Sequence, residues 1–213
     1  MIDVGVIDYG VGNLGSMLRA LEELGSSPML VTSPDGLAQG RRLILPGVGN
    51  FTDCMAKLRD GGWIPALHGA VTGHGVPLLG VCVGMQLLAD HGDEGSEDSQ
   101  GTPGLGFVPG RVQHLRTLGS TERMPHVGWN AIRRTGSPTP LLAGIPDGTD
   151  FYFVHSYAFT PQDKADEIAS ATCGIPFAAA LQRDNIWGTQ FHPEKSSRAG
   201  FRLLKNFLTA PQC

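Results

Sequence analysis

The sequence predicts an α/β fold whose central, mostly parallel sheet is flanked by helices, with antiparallel strands added in the C-terminal half. In roughly the first 90 residues, short apolar runs alternate with segments of helical periodicity. Glycine-rich turns at 9–13, 46–49 and 80–84 follow three of those runs, which is typical of sites at the carboxyl ends of parallel strands. Beyond Gly104, several β-rich runs are joined by short turns, which favours antiparallel pairing.

The first half opens with a strand, a glycine-rich turn and a helix. The β-rich run 2–7 leads into the turn, and apolar residues then recur at helical spacing until Gly25. Further strands are predicted at 29–31, 43–45 and 76–81, a broken helical stretch at 52–74, and a helix directly after Cys82.

The second half begins with an acidic segment rich in glycine and serine, 90–104, which predicts a solvated loop. Ser196 and Ser197 can cap a last helix. No repeat, linker or low-complexity segment interrupts the chain, so one domain is predicted over residues 1–213. Strands are predicted at 106–115, 151–157, 168–172, 177–181 and 186–191, and one face of the last helix holds Phe201, Leu204 and Leu208.

Composition and charge exclude several classes of function. The 213 residues carry 16 basic and 20 acidic side chains, a net charge of −4, and no basic run that would bind nucleic acid. The N-terminus lacks the basic region of a signal peptide, and the longest apolar stretch, 76–89, is too short to span a bilayer. Cys54, Cys82, Cys173 and Cys213 are too widely spaced for a metal or redox pair. We therefore expect a cytoplasmic protein with free thiols.

The segment Gly80-Val81-Cys82-Val83-Gly84 has the form of a nucleophile elbow, with cysteine in place of serine. Side chains two residues before and after the nucleophile would clash across the sharp turn from strand to helix, and glycine removes that clash. We expect the thiol to project, exposed, at a helix N-terminus, where backbone N–H groups favour a thiolate. The pattern is short, and on its own it is equally compatible with a small buried cysteine in a packed strand.

A nucleophilic cysteine needs a base and a group that orients the base. His192 and Glu194 suit these roles, because side chains two apart in an extended segment point the same way. The carboxylate would accept the imidazole N–H and fix its tautomer. By itself His192 is better explained as a strand-end histidine in a loop, but beside an elbow cysteine a Cys–His–Glu set is favoured.

Acyl chemistry at a thiol also needs an oxyanion hole. The backbone N–H of Val83, directly after the nucleophile, is the usual first donor. A second N–H can come from the Gly47–Val48 peptide, because neighbouring glycines let a peptide unit rotate. An ordinary β-turn is the alternative, and a position after a predicted parallel strand argues against it.

Two segments carry a resemblance to a known family: GVCVGMQLL at 80–88 and GTQFHPEKS at 188–196. They are similar to the class I glutamine amidotransferases, which share a fold and a Cys–His–Glu triad. Nearly the whole chain resembles one branch of that family, the glutaminase subunits of imidazole glycerol phosphate synthase in histidine biosynthesis. The segments that narrow the resemblance are DYGVGNL at 8–14, PGVGNF at 46–51, GLGFVPGRV at 104–112, PHVGWN at 125–130 and YFVHSY at 152–157.

The resemblance implies an enzyme that hydrolyses glutamine to glutamate and ammonia. Cys82 would attack the side-chain amide, His192 would take the thiol proton and deliver one to the leaving ammonia, and Glu194 would hold His192. The thioester would then be hydrolysed, with Val83 and the Gly47–Val48 peptide holding the oxyanion. Neither a cofactor nor a metal is expected.

The resemblance also implies substrate contacts. Gln86 and Glu94 match positions that hold the polar ends of glutamine, and a carboxylate suits its α-ammonium group. Ser156 and Tyr157 match a segment that lines the same pocket, and Gly49 is implied as a further contact. From the residues alone, Gln86 could instead be a polar residue on an exposed helix face, and Glu94 a solvated charge in its acidic loop.

Departures from the family pattern are few. Arg123 stands where a lysine is usual, and Ser197 interrupts a stretch that often contains glycine. The 90–104 loop is loosely matched, which leaves the exact role of Glu94 open.

The family delivers ammonia to a second protein, because ammonia that meets water becomes ammonium. The resemblance implies a heterodimer with a (β/α)8-barrel cyclase of the HisF type, and the complex would make imidazole glycerol phosphate and an aminoimidazole carboxamide ribotide. Trp129 and Asn13 are the predicted interface residues. For Trp129 the alternative is a core aromatic residue. Nucleic acid and membranes are not expected as partners.

Two other functions stay open from the sequence. One is an amidotransferase subunit for a different acceptor, such as a pyridoxal phosphate synthase or a chorismate-using enzyme. The other is a non-catalytic regulatory subunit on the same fold, and the intact set of Cys82, His192 and Glu194 argues against it.

Overall fold

A computed structural model describes residues 4–136 and 138–211 of the protein. Its first half alternates strands and helices, as the apolar runs and the helical periodicity predict. Ile2, the predicted start of the first strand, lies outside the described residues. In chain order, the elements of this half are β1 (Val4–Ile7), α1 (Leu14–Glu23), β2 (Pro28–Val31), β3 (Leu43–Gly47), α2 (Phe51–Asp60), α3 (Trp63–His68), β4 (Leu78–Cys82) and α4 (Val83–Gln86).

The second half is dominated by strands and ends in a helix. It contains β5 (His91–Gly92), β6 (Thr102–Pro103), β7 (Gly110–His114), β8 (His126–Ala131), β9 (Arg133–Arg134), β10 (Asp150–His155), β11 (Tyr157–Pro161), β12 (Glu167–Cys173), β13 (Ile175–Arg183), β14 (Ile186–Thr189) and α5 (Ser197–Thr209). Short helical turns lie at 34–39, 69–73, 140–142, 164–166 and 193–195.

An eight-stranded sheet with the strand order β2-β1-β3-β4-β14-β13-β12-β9 forms the centre of the fold. The strands from β2 to β14 in this order are parallel to their neighbours, whereas β13, β12 and β9 add antiparallel pairings. Two smaller sheets accompany it, β10-β8 and β11-β7-β5-β6. This arrangement confirms the predicted fold class. Strands from both halves share the central sheet, which is compatible with the prediction of one domain over 1–213.

The core lies around the parallel strands. Every residue of β1, β3 and β4 is buried, as expected of parallel strands that are covered on both faces. Helix α5 buries Leu203, Leu204 and Phe207. Phe201 and Leu208, which were expected on its apolar face, are only partly buried, so the buried face lies slightly to one side of the predicted one.

Several element boundaries differ from the prediction. The run 151–157 forms two strands in different sheets, because the chain leaves β10 at Ser156 before β11 begins. The acidic loop 90–104 contains the two-residue strands β5 and β6. The apolar pattern does not predict β8 or β9, whose residues are half-buried or exposed.

Two observations bear on the broad class of the protein. Cys54, Cys82 and Cys173 are buried, free thiols, and Cys213 lies outside the described residues. Within the described part of the chain, no helix is long and apolar enough to cross a membrane.

Candidate active site

Cys82 lies at the junction of β4 and α4 in a conformation that non-glycine residues rarely adopt, with φ 56° and ψ −114°. A Cβ atom on Gly80 would lie 2.5 Å from the carbonyl oxygen of Gly84, and one on Gly84 would lie 1.8 Å from that of Leu45. Both positions therefore require glycine. The expected clash across the turn holds for Gly80, whereas at Gly84 the obstacle is the neighbouring strand β3.

The expectation of an exposed thiol is wrong, because Cys82 is 4% exposed. Strand β10 and the chain after β14 lie against it. Its Sγ atom lies 3.9 Å from the carbonyl oxygen of Val154 and 3.9 Å from Nε2 of Gln190. His192 lies close enough to Cys82 for the sulfur to raise the pKa of its imidazole. The sulfur is therefore enclosed by polar partners.

His192 and Glu194 form a buried pair, with Nδ1 of His192 2.8 Å from Oε1 of Glu194 and both side chains about 5% exposed or less. The segment is not extended as expected, since Pro193–Lys195 forms a 3₁₀ turn. Ser196 does not cap α5 with its side chain. Its hydroxyl donates to the carbonyl oxygen of His192 at 2.6 Å and accepts from the backbone N–H of Tyr152 at 3.0 Å, which fixes the turn.

The electrostatics of the pair favour a charged imidazole. Burial alone lowers the pKa of His192, but hydrogen bonds and charges of Cys82 and Glu194 outweigh burial and raise that pKa to about 9. An imidazolium beside the sulfur of Cys82 and the carboxylate of Glu194 can donate a proton to a leaving group. The other carboxylate oxygen, Oε2 of Glu194, is buried and has no hydrogen-bond partner among the described residues.

The turn at 46–49 lies directly against the elbow. Gly47 pairs with Cys82 across β3 and β4. A Cβ atom on Gly47 would lie 2.7 Å from the backbone nitrogen of Gly84 and 2.9 Å from Cβ of Val83, so only glycine permits this approach. Val48 is 40% exposed, and Gly49 follows it with φ 92°. The structure therefore brings the residues of the expected oxyanion hole next to the sulfur.

Gln86 is buried, which excludes the exposed-face alternative. Its side-chain nitrogen Nε2 donates to the carbonyl oxygen of Tyr157 at 3.0 Å and to Oε1 of Gln190 at 2.9 Å. Its own carbonyl oxygen Oε1 is buried without a hydrogen-bond partner in the described part of the chain. That oxygen therefore lacks the hydrogen-bond donor that a buried acceptor normally has.

Glu94 is half-buried and reaches the first turn of α2, where its Oε2 accepts from the backbone N–H of Phe51 at 3.3 Å. Burial raises the pKa of Glu94, the Phe51 N–H lowers it, and the charge of Asp53 raises it, with a net upward shift. Glu94 is therefore not a freely solvated charge. It also lies within electrostatic reach of Tyr157, whose pKa is raised by burial and then by Glu94 and Asp93.

Ser156 lies half-buried between β10 and β11, and its carbonyl oxygen accepts from the backbone N–H of Leu115 at 2.9 Å. The ring of Tyr157 packs edge-on against His114, with centroids 4.9 Å apart. This segment thus lines the same region as Gln86, through the Tyr157 carbonyl.

Two residues near the sulfur escape the sequence analysis, Gln190 and His155. Gln190 has a signal in the sequence, because residues two apart share a side of an extended segment. In the structure, however, the chain bends at residues 190–191. His155 is buried, and its pKa is lowered to about 3. Burial is the main cause, the hydrogen bond to the Tyr157 carbonyl acts in the opposite direction, and the charges of His126 and His192 lower the pKa further. His155 lies in the segment YFVHSY at 152–157, but nothing in that segment assigns it a role at the sulfur.

The predicted interface residues lie on the surface. Trp129 and Val127 are each 56% exposed on the same side of β8, so the core alternative for Trp129 is wrong. Asn13 is exposed at the start of α1. Within residues 4–136 and 138–211, no group of three or more His, Cys, Asp or Glu side chains is placed to hold a metal ion.

A cysteine elbow with a buried His–Glu pair on an α/β sheet is the arrangement of enzymes that form acyl–thiol intermediates. The family model for class-I glutamine amidotransferases matches residues 5–210, and the chain belongs to this family. Individual relatives within this family show which of its members the chain is similar to. The chain is 45% identical over 205 residues to the imidazole glycerol phosphate synthase subunit HisH of Desulfitobacterium hafniense strain Y51, with 96% of this chain and 92% of that protein covered.

Other relatives and solved structures agree. The chain is 45% identical over 214 residues to the subunit HisH of Caulobacter vibrioides, with 98% of both proteins covered. A crystal structure of a glutamine amidotransferase matches with a TM-score of 0.71 at 22% identity, and PurLQS from Thermotoga maritima with 0.71 at 17%, each with 96% of both chains covered. At these identities the structures show the fold alone. Together the findings confirm the resemblance seen in the sequence.

Proposed function

We propose that this chain hydrolyses glutamine through a Cys82 thioester and passes the ammonia to the cyclase subunit of an imidazole glycerol phosphate synthase. The observation that carries the proposal is the hydrogen-bonded His192–Glu194 pair beside Cys82, which lies on a strained elbow. The names of the relatives with about 45% identity support the choice of acceptor.

The chemistry follows from the charges of the set. The Cys82 thiolate attacks the side-chain carbonyl carbon of glutamine and forms a tetrahedral intermediate. The C–N bond breaks as the His192 imidazolium donates its proton, so that the nitrogen leaves as ammonia and a thioester remains. The neutral His192 then takes a proton from water, which attacks the thioester and releases glutamate. Glu194 keeps the His192 ring oriented and stabilises its charged form.

Backbone and side-chain groups around the sulfur complete the proposed site. The N–H of Val83 and the Gly47–Val48 peptide would hold the oxyanion. The free carbonyl oxygen of Gln86 is an acceptor for a substrate N–H group. Glu94 would pair with the α-ammonium group. The pocket would be completed by Gly49, Ser156 and Tyr157.

The partner we propose is a (β/α)8-barrel cyclase of the HisF type, bound as a heterodimer. The support is the exposed pair Val127 and Trp129 on β8, since large exposed apolar side chains mark interaction surfaces. Asn13 is the second proposed contact. A cytoplasmic location and the absence of a cofactor stay predictions from the sequence.

The deciding experiment measures glutamate release from glutamine by the pure chain, alone and then with a cyclase subunit and its ribotide substrate. A large rise in the complex is the expected result, because the partner completes the site. Equal rates in both would leave a glutaminase for another acceptor. No release in either would favour the non-catalytic regulatory subunit.

Replacing Cys82 by alanine separates the two half-reactions. Cys82→Ala should abolish glutamine-dependent synthesis in the complex and leave ammonia-dependent synthesis intact, because the cyclase needs only ammonia. Loss of both activities in a well-assembled complex would contradict this division of labour.

A further inference from the structure

Gln190 is fully buried, and its side-chain nitrogen Nε2 lies 3.9 Å from Sγ of Cys82, within hydrogen-bonding distance of the large sulfur atom. Its position is fixed by the sheet, because its backbone N–H donates to the carbonyl oxygen of Ala179 at 2.8 Å. We propose that Gln190 is a further catalytic residue, whose side-chain amide donates a hydrogen bond to the sulfur of Cys82 and stabilises its thiolate.

The orientation of this amide follows from a backbone carbonyl that can only accept. An amide side chain has an NH₂ end and an oxygen end, which are told apart by their partners. The carbonyl oxygen of Tyr157 only accepts, so the Gln86 atom 3.0 Å away must be Nε2. That same nitrogen lies 2.9 Å from Gln190, which must therefore present its oxygen Oε1. The NH₂ end of Gln190 is left facing the sulfur.

The carbonyl of Tyr157, which sets the orientation of both glutamine side chains, is itself held by a second hydrogen bond. Nδ1 of His155 lies 2.8 Å from the carbonyl oxygen of Tyr157, so this nitrogen carries the hydrogen. Nε2 of His155 then accepts from Nδ1 of His126 at 3.0 Å. The Tyr157 carbonyl thus accepts from two buried side chains, Gln86 and His155. Buried groups face little competition from water, which keeps the orientation unique.

A buried thiolate needs such a donor, because burial disfavours the charged form of a group. In the reaction derived above, His192 gives up its proton and so loses its charge during each cycle. Gln190 is a neutral donor that does not titrate, so it can stabilise the thiolate both before the attack and after hydrolysis of the thioester releases it. This role rests on the proposed function, in which the thiolate is the nucleophile.

The test replaces the donor with an apolar side chain of similar size. In Gln190→Leu, the thiolate fraction of Cys82 at neutral pH should fall severalfold, as measured by ultraviolet absorbance against the same protein carrying Cys82→Ala. The rate of Cys82 alkylation by iodoacetamide should fall roughly tenfold. Gln190→Met is the second variant, in case the Gln190→Leu protein does not fold. Gln182→Leu makes the same change on β13 away from the sulfur, and both quantities should stay unchanged.

The orientation argument adds a second expected result. Gln86→Leu should lower the thiolate fraction too, because it releases the oxygen end of Gln190. An unchanged thiolate fraction and alkylation rate in folded Gln190→Leu and Gln190→Met would overturn the role of Gln190. These measurements contain no glutamine and are therefore separate from glutamate release. Wild-type protein that never releases glutamate, yet whose thiolate depends on Gln190, would contradict only the proposed function.

Discussion

At the scale of single residues, the site is built from conformations and charges that cost free energy. The φ of 56° at Cys82 costs of order 1–3 kcal/mol for a residue with a Cβ atom. Burying the charged groups of His192 and Glu194 adds a further cost, which their hydrogen bond offsets. Such costs persist where the surrounding structure enforces them, as the packed glycines of the elbow do here.

The raised pKa of His192 gives a pH-dependent prediction for stability. Its pKa is raised from 6.5 to about 9 in the folded protein. The stabilisation that charged His192 contributes to the folded protein is therefore fully present below pH 6.5 and is lost as the pH rises through about 9. In Glu194→Gln the imidazolium loses its carboxylate, so the free energy of unfolding should fall by about 2 kcal/mol near pH 6.

Urea unfolding of the wild type and of Glu194→Gln near pH 6 and near pH 9.5 would check this. The difference in unfolding free energy between the two proteins should be smaller near pH 9.5, which lies roughly half a unit above the pKa of His192 in the folded protein. Glu97→Gln, in the exposed loop, is the matched control and should change stability at neither pH. An equal loss at both pH values would argue that Glu194 acts by packing rather than by charge.

At the scale of elements, the strand–turn–helix unit of β4 and α4 is set by close backbone approach. Gly84 in α4 touches the carbonyl of Leu45 in β3, and Gly47 in β3 touches the start of α4. The two neighbouring strands can therefore bring the elbow and the turn at 46–49 together only if both positions are glycine. The G-x-C-x-G pattern predicts that position 84 must be glycine, but it places the obstacle in the turn rather than in β3.

Gly84→Ala should destabilise the protein by about 3 kcal/mol, because the new Cβ atom would lie 1.8 Å from a backbone oxygen. Gly15→Ala in α1 is the matched control. A Cβ atom there meets nothing within 4 Å, so the change should stabilise by about 0.5–1 kcal/mol. Urea unfolding of both variants measures the difference, and a Gly84→Ala protein as stable as wild type would refute the close approach.

At the scale of the whole molecule, the parallel pairing of β4 with β14 assembles the site from distant parts of the chain. Thr189 pairs with Val81, so the segment that carries Gln190 and His192 continues past the carboxyl end of β4. Gln190 and Cys82 meet although 108 residues separate them. The sheet β11-β7-β5-β6 supplies Tyr157, and the sheet β10-β8 supplies both His155 and the exposed residues of β8.

The exposed face of β8 gives a prediction about assembly. Trp129→Ala should weaken binding of the cyclase subunit by about 2 kcal/mol, roughly thirtyfold in Kd, because a large exposed aromatic side chain is a typical anchor. The free energy of unfolding of the isolated chain should change by less than about 0.5 kcal/mol. Titration of the partner and urea unfolding give the two values.

Leu30→Ala is the control for that experiment, since Leu30 is also exposed but lies on the edge strand β2. It should leave partner binding unchanged. A large loss of stability in Trp129→Ala would show that the tryptophan supports the fold, and equal effects of the two variants on binding would remove β8 from the proposed interface.

Much of the fold and site follows from local patterns. Short apolar runs that alternate with segments of helical periodicity predict the parallel strands, because these strands are buried along their whole length. The elbow and the His–x–Glu pair are short motifs whose chemistry is local. Strands β8 and β9 escape prediction because they are half-buried or exposed, and their pairing is decided by distant partners.

By itself the sequence determined the α/β class, the position of Cys82 between two glycines, and the pairing of His192 with Glu194, because each depends on residues close together in the chain. Only the tertiary structure decided that the thiol is buried, that Gln190 faces it and that Trp129 is exposed. Burial and hydrogen-bond orientation depend on which strands become neighbours, and that is set by packing across the sheet rather than by spacing along the chain.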